Sequence, residues 1–281
     1  MRMERLRFGH LECLRAGPER GEPGPPLLLV HGLGGGIWGW EYFQRHFAQR
    51  GFASYALELP GHGEDPDPVT ARKMGQYSVE TYALWVAAAM AQIGPCVVVG
   101  HSMGGLVAQK LAESHAQAGF VFLASAPPWH MFRRAYAPMW RHLLRHPWRE
   151  LLLPLAGHTL VLDNTLQDAL VNHRLPPDLR QEIARRDVPD SGRASMQMVA
   201  GLVSVDARRV TSPCLVAGGL DDRLIPASEQ RRLAEFYQCP LQLHDRGHML
   251  MLEPGWEEVA DGILAWVASL QSGRADLAAT G

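Results

Sequence analysis

The sequence predicts an α/β protein: a mostly parallel central sheet flanked by helices, with an inserted helical cap. Three observations lead there. The apolar runs Leu27–Val30, Val97–Val99 and Phe120–Ala124 are continuous rather than alternating, the pattern of strands covered on both faces. Helical segments alternate with these runs, which implies right-handed β-α-β units. From Pro127 to about Ala200 the alternation stops, and helical stretches rich in Trp, Arg, Leu and Pro replace it.

Residues 4–16 alternate loosely and read as one or two edge strands, closed by the turn-rich Gly17–Gly24. Leu27–Val30 empties into His31-Gly-Leu-Gly-Gly-Gly36. A helix over Trp40–Gln49 and a strand over Ala53–Leu59 follow, and Pro60-Gly-His-Gly63 turns the chain. Ser78 is placed to cap a helix running to Ile93, whose Tyr82, Trp85, Val86 and Ala89 share a stripe. Beyond Val97–Val99, a helix over Leu106–His115 leads to Phe120–Ala124. After the insertion, strands at Pro213–Gly219 and Pro240–His244 alternate with helices at Ser228–Phe236 and Trp256–Leu270. The tail Gln271–Gly281 is small and polar, and is expected to fray. The expected division is a core of residues 1–126 and 201–281, with a cap over 127–200.

Bulk properties narrow the function class. The 281 residues carry a net charge of −2 and are 47% hydrophobic, ordinary for a globular protein and unsuited to nucleic acid as a main partner. Cys13, Cys96, Cys214 and Cys239 show no C-x-x-C spacing and predict no disulfide framework. Met1–Arg7 lacks the apolar core of a secretory signal, and no window reaches the roughly 20 apolar residues of a membrane span. The expectation is a cytoplasmic protein without stable membrane insertion; oligomeric state is not encoded in any pattern.

The chemistry-bearing stretch is Val97-Val-Val-Gly-His-Ser-Met-Gly-Gly105. A G-x-S-x-G serine between a buried strand and a helix is set on a sharp turn, its hydroxyl exposed above a helix N-terminus that favours negative charge. Gly100, Gly104 and Gly105 remove Cβ atoms where strand and helix crowd. A serine needs a base, and the base an orienting acid. His248 follows the strand at 240–244, and Asp221 and Asp222 follow the strand at 214–218. In a parallel sheet all of these, with Ser102, fall at one edge.

In this order the motifs resemble the α/β-hydrolase family. They are His-Gly at 31–36, Leu-Pro-Gly-His-Gly at 59–63, Gly-His-Ser-Met-Gly-Gly at 100–105, Gly-x-x-Asp-x-x-x-Pro at 219–226, and Gly-His with Glu-Pro at 247–254. The resemblance covers nearly the whole chain outside the cap and looks like a serine carboxylesterase or lipase. It implies a triad of Ser102, Asp222 and His248, because the family acid lies four residues before the proline. It also implies oxyanion donors at the Leu33 and Met103 N–H groups, and gives His31 and His101 supporting roles.

The expected activity is hydrolysis of small to medium acyl esters through an acyl-enzyme, acting on a small-molecule substrate with no metal and no organic cofactor. A carbon–carbon bond hydrolase acting on a ring-fission product uses the same triad. A ligand receptor retaining the triad is the reading from another class. His142 and His146, four apart, lack a third metal ligand and the glutamate of a zinc hydrolase, and read as a solvated helix face. Trp129, Met131, Phe132, Tyr136, Met139, Trp140 and Trp148 are available either to line an acyl pocket or to pack the cap.

Overall fold

A computed structural model of the chain describes residues 1–18, 24–63, 66–131, 158–160, 164–186 and 189–279. In chain order the strands are β1 (Arg2–Phe8), β2 (Leu11–Gly17), β3 (Leu27–Val30), β4 (Ser54–Leu57), β5 (Val97–His101), β6 (Gly119–Leu123), β7 (Thr159–Leu160), β8 (Asp190–Ser191), β9 (Cys214–Gly219) and β10 (Leu241–His244). The helices are α1 (Glu41–Gln49), α2 (Pro68–Lys73), α3 (Val79–Ile93), α4 (Met103–Ala112), α5 (Asn164–Leu170), α6 (Pro177–Arg186), α7 (Gly192–Val199), α8 (Ala227–Tyr237) and α9 (Trp256–Ala279).

Eight strands form one sheet in the order β1-β2-β4-β3-β5-β6-β9-β10. The β1–β2 and β2–β4 pairs are antiparallel, and every later pair is parallel. Strand residues alternate between two apolar layers, as a period of two requires. Leu28, Val30, Val98 and Phe122 pack with Tyr82, Leu106 and Leu233 from α3, α4 and α8. Leu27, Leu29, Val97 and Val99 pack with Phe43, Phe47, Val259 and Ile263 from α1 and α9. Burial on both faces is the physical reason these runs are continuous in sequence.

Local signals match the elements. Ser78 caps α3 by accepting a hydrogen bond from Thr81 N–H at 3.1 Å. One expectation fails: α9 does not fray at Leu270 but continues to Ala279. Gly273 is a poor helix former, but Arg274, Ala275, Leu277, Ala278 and Ala279 after it are good ones, so propensity favours the last turns despite the small, polar composition.

The segment between β6 and β9 leaves the sheet. Its described part holds α5, α6 and α7, together with the antiparallel β7–β8 pair, Leu160 opposite Asp190 and Thr159 opposite Ser191. No described helix is long and apolar enough to cross a membrane. All four cysteines are free, and burial pushes the Cys13, Cys96 and Cys214 thiols up to about 12.

Candidate active site

Ser102 sits between β5 and α4 with φ 54 and ψ −115, a left-handed conformation rare for a residue with a side chain. Its surroundings hold it there. Ser102 N–H donates to Leu123 O at 3.0 Å, and its carbonyl accepts from Gly105, Leu106 and Ala126 N–H at 3.0, 3.3 and 3.0 Å. Strain persists only where neighbours over-determine it, as these four bonds do. The flanking glycines are required by contact: a Cβ on Gly100 would lie 2.2 Å from Gly104 O, and one on Gly104 would lie 2.3 Å from Val30 O. The turn folds so tightly that strand, elbow and helix touch backbone to backbone.

His248 and Asp222 meet at the neighbouring strand ends. His248 Nδ1 donates to Asp222 Oδ2 at 2.8 Å, and both side chains are buried. The other carboxylate oxygen, Oδ1, accepts from Leu224 and Ile225 N–H at 2.9 and 2.8 Å. Asp222 is therefore fixed within its own turn before it meets the histidine. Asp221 points elsewhere: its side chain is 45% exposed and pairs with His173 at 3.2 Å, a hydrogen bond that holds its carboxyl below the usual range. The family resemblance singled out Asp222, and Asp222 is the one whose carboxylate faces the imidazole.

Two further residues hold the loop around His248. Glu253 is buried, and its two oxygens accept from the N–H groups on either side of the histidine, Gly247 at 2.6 Å and Met249 at 3.1 Å. Burial pushes the Glu253 carboxyl up. His101 Nε2 donates to His248 O at 2.9 Å, and burial followed by the nearby His248 lowers His101 to about 3. His101 is thus a neutral prop for the loop.

The glycine loop after β3 completes the edge. Gly35 N–H and His31 Nδ1 both donate to Gly32 O, at 3.0 and 2.9 Å. Leu59 N–H donates to His31 Nε2 at 3.1 Å, so this ring carries its proton on Nδ1 and is neutral. Burial, then the His62 charge, lowers His31 to about 3. Its 3.6 Å approach to Glu58 is accordingly not an ion pair. A trans peptide sets N–H opposite C=O, so pinning Gly32 O from below directs Leu33 N–H away from that bond. Leu33, Ser102 and His248 line one cavity. Met103 opens α4 directly after the serine and is buried.

The cavity wall is apolar where it leaves these groups. Trp38, Leu170, Val171, Ile183, Met198 and Leu224 line it, and four of the six come from the insertion. Trp129 and Met131 do not line it: Trp129 is 57% exposed and Met131 packs into the core. Phe132, Tyr136, Met139, Trp140, Trp148, His142 and His146 lie outside the described residues. Among the described residues no group of three or more His, Cys, Asp or Glu side chains is arranged to hold a metal ion.

Two residues at this edge escaped the sequence reading. His62, in the turn after β4, lies 3.1 Å from Asp190 of β8, and both side chains are buried. Burial alone would lower His62, but the Asp190 carboxylate raises it. Burial alone would raise Asp190, but the His62 charge and the hydrogen bonds to its oxygens lower it. The pair is therefore ionic. The one sequence signal was a histidine inside a buried glycine turn, which needs a partner that no local pattern names.

A family model described as the alpha/beta hydrolase family matches residues 27–262. The dihydrolipoyllysine-residue acetyltransferase component of acetoin cleaving system from Pseudomonas putida is 31% identical over 257 residues, 88% of this chain and 64% of that protein. The pimeloyl-[acyl-carrier protein] methyl ester esterase of Aeromonas hydrophila subsp. hydrophila is 35% identical over 113 residues, 39% of this chain and 41% of that protein. The chain thus spans less than two thirds of the length of these curated relatives. Among solved structures, the monoacylglycerol lipase of Paleococcus ferrophilus matches with a TM-score of 0.66 at 25% identity, covering 96% of this chain and 100% of that one.

Proposed function

The chain belongs to the alpha/beta hydrolase family, and from that premise we propose that it is a serine hydrolase acting on carboxylic esters of small to medium acyl chain. The observation that carries the reading is the buried His248–Asp222 pair at 2.8 Å, bordering the same cavity as a serine held at φ 54. The apolar wall suits an acyl chain, and residues 127–200 act as the cap that supplies much of it.

In this mechanism His248 accepts the Ser102 proton on Nε2 as Oγ attacks the ester carbonyl. Asp222 keeps the Nδ1 proton in place and stabilises the imidazolium. The Leu33 and Met103 N–H groups receive the oxyanion, at the loop and at the N-terminus of α4, where the helix dipole adds to the attraction. Collapse of the tetrahedral intermediate expels the alcohol, which takes its proton from His248. Water then repeats the sequence on the acyl-enzyme. The scheme calls on no metal or organic cofactor.

The test is a series of p-nitrophenyl acetate, butyrate and octanoate hydrolysed by wild type and Ser102→Ala. The expected result is turnover by wild type, loss of about 10⁶-fold in kcat in the variant, and covalent labelling by a fluorophosphonate only when Ser102 is present. Equal turnover by the two proteins would overturn the proposal.

A further inference from the structure

Three hydrogen-bond donors and one imidazole converge on one carboxylate of the insertion. Asp190 Oδ2 accepts from Gly34 N–H at 2.8 Å and faces His62 Nε2 at 3.1 Å. Oδ1 accepts from Tyr82 OH at 3.0 Å and from Ser191 N–H at 2.6 Å. Gly34 and Asp190 are 156 positions apart in sequence. Only a carboxylate offers two acceptor-only oxygens for such a set, since an amide in its place would turn an NH₂ toward two of the donors.

The loop that receives this contact has little of its own to hold it. Four of its five residues from 32 to 36 are glycines, which have no side chains to pack and wide backbone freedom. Its successive peptide planes are held by one bond within the loop and by side chains beside it. The Gly32–Leu33 plane, which carries Leu33 N–H, is held by Gly35 N–H and His31 Nδ1 on Gly32 O. The next plane, Leu33–Gly34, is held by Asp190. Asp190 is in turn anchored by its neighbour: Ser191 Oγ donates to Tyr77 O at 2.5 Å and accepts from Ala194 N–H at 3.2 Å.

We propose that Asp190 is a positioning residue for the oxyanion loop, its buried carboxylate, ion-paired with His62, fixing the Leu33–Gly34 peptide and thereby the placement of Leu33 N–H. Through this contact the insertion shapes the charge-stabilising side of the site as well as its apolar wall. The inference rests on the ester-hydrolase reading of Ser102. Gly34 N–H is removed from the candidate donors by the same bond, which leaves the role to Leu33.

Asp190→Asn in the full chain tests it. The expected result is a fall in kcat of about 10²-fold, the scale of a lost oxyanion donor, with KM within about twofold. Affinity for a trifluoromethyl ketone, which forms the tetrahedral oxyanion, falls by a similar factor. A merely structural role would lower the amount of folded enzyme and leave the ketone affinity of the remainder unchanged, and that outcome would overturn the proposal, as would unchanged kcat. Where the variant does not fold, amide exchange on the wild type decides. Gly34 N–H is expected to exchange slowly in the free enzyme, and fast exchange would refute the bond. Ser102→Ala with undiminished turnover refutes the hydrolase reading instead, and exchange at Gly34 still tests the contact.

Discussion

Among the described residues two histidine–aspartate pairs are buried, and their surroundings differ more than their geometry does. His248–Asp222 spans 2.8 Å and His62–Asp190 spans 3.1 Å. Asp222 is held locally, by two amides two and three residues ahead, so its pair joins the ends of the adjacent strands β9 and β10. Asp190 draws its partners from the glycine loop, from α3 and from the turn after β4. His248 borders the cavity beside Ser102, whereas His62 and Asp190 line no part of it. On the proposed mechanism the same two residue types make a proton-transfer pair where one face is open to substrate, and a staple where none is. Access, rather than the pair itself, separates chemistry from architecture.

The largest expected effect breaks the first pair without disturbing the second. Asp222→Asn keeps shape but lets the amide donate toward His248, favouring the wrong tautomer. We expect kcat on p-nitrophenyl butyrate to fall by about 10⁴-fold, with the urea midpoint close to wild type. A loss of less than tenfold would mean that Asp222 does not set the tautomer of His248.

The second pair is expected to show in stability and its pH dependence. Removing one partner of a buried ion pair costs about 3–5 kcal/mol, so His62→Gln should lose roughly that much by urea titration near neutral pH. The directions with pH follow from the shifts. His62 is raised, so its contribution is complete below the unfolded histidine value of about 6.5 and is lost as pH rises through its folded value. Asp190 is lowered, so its contribution is complete above the unfolded carboxylate value of about 3.9 and is lost as pH falls through its folded value. His31 and His101 act the other way from His62. Held to about 3, they stay neutral while the unfolded chain takes up protons below about 6.5, so stability declines as pH falls. Each contributes at most about 1.4 kcal/mol per pH unit. Wild type should be most stable near neutrality, and His62→Gln should lose the alkaline decline while keeping the acid one. An unchanged alkaline limb in the variant would show that His62 is not the charged partner.

The two pairs also differ in how far the sequence revealed them. The strands were legible because burial on both faces leaves continuous apolar runs such as Leu27–Val30. Ser102 was legible because an elbow that brings Gly100 against Gly104 must be written in glycine. Asp222 could be separated from Asp221 only through the resemblance, because the family acid lies four residues before the proline, here Pro226. All of these are short-range constraints. The Asp190 cluster gathers residues 34, 62, 82 and 190, and no local pattern encodes which buried histidine meets which carboxylate. Glu253 lies between: its Glu-Pro motif was visible, but its bracketing of His248 needed the folded loop.

The smallest effect comes from a second attachment of the insertion to the core. Arg174 lies 2.9 Å from Asp245, 3.5 Å from Asp221 and 3.7 Å from Glu253, beside the loops that carry Asp222 and His248. By position it rivals Asp190, since each ties the insertion to a different side of the site. By environment it does not, because the Arg174 side chain is 31% exposed and Asp245 is 77% exposed. Water already solvates such charges, and exposed pairs contribute about 0–1 kcal/mol. Arg174→Ala should therefore shift the urea midpoint by less than His62→Gln does and change kcat by less than about threefold. High salt on the wild type should reproduce most of the change, because screening acts on exposed charges and spares the buried pair. The contact to buried Glu253 is where this contrast is most exposed to refutation. Should Arg174→Ala lower kcat as far as Asp190→Asn, the charge reaching His248 through Glu253 would outweigh burial as the rule for which anchor matters.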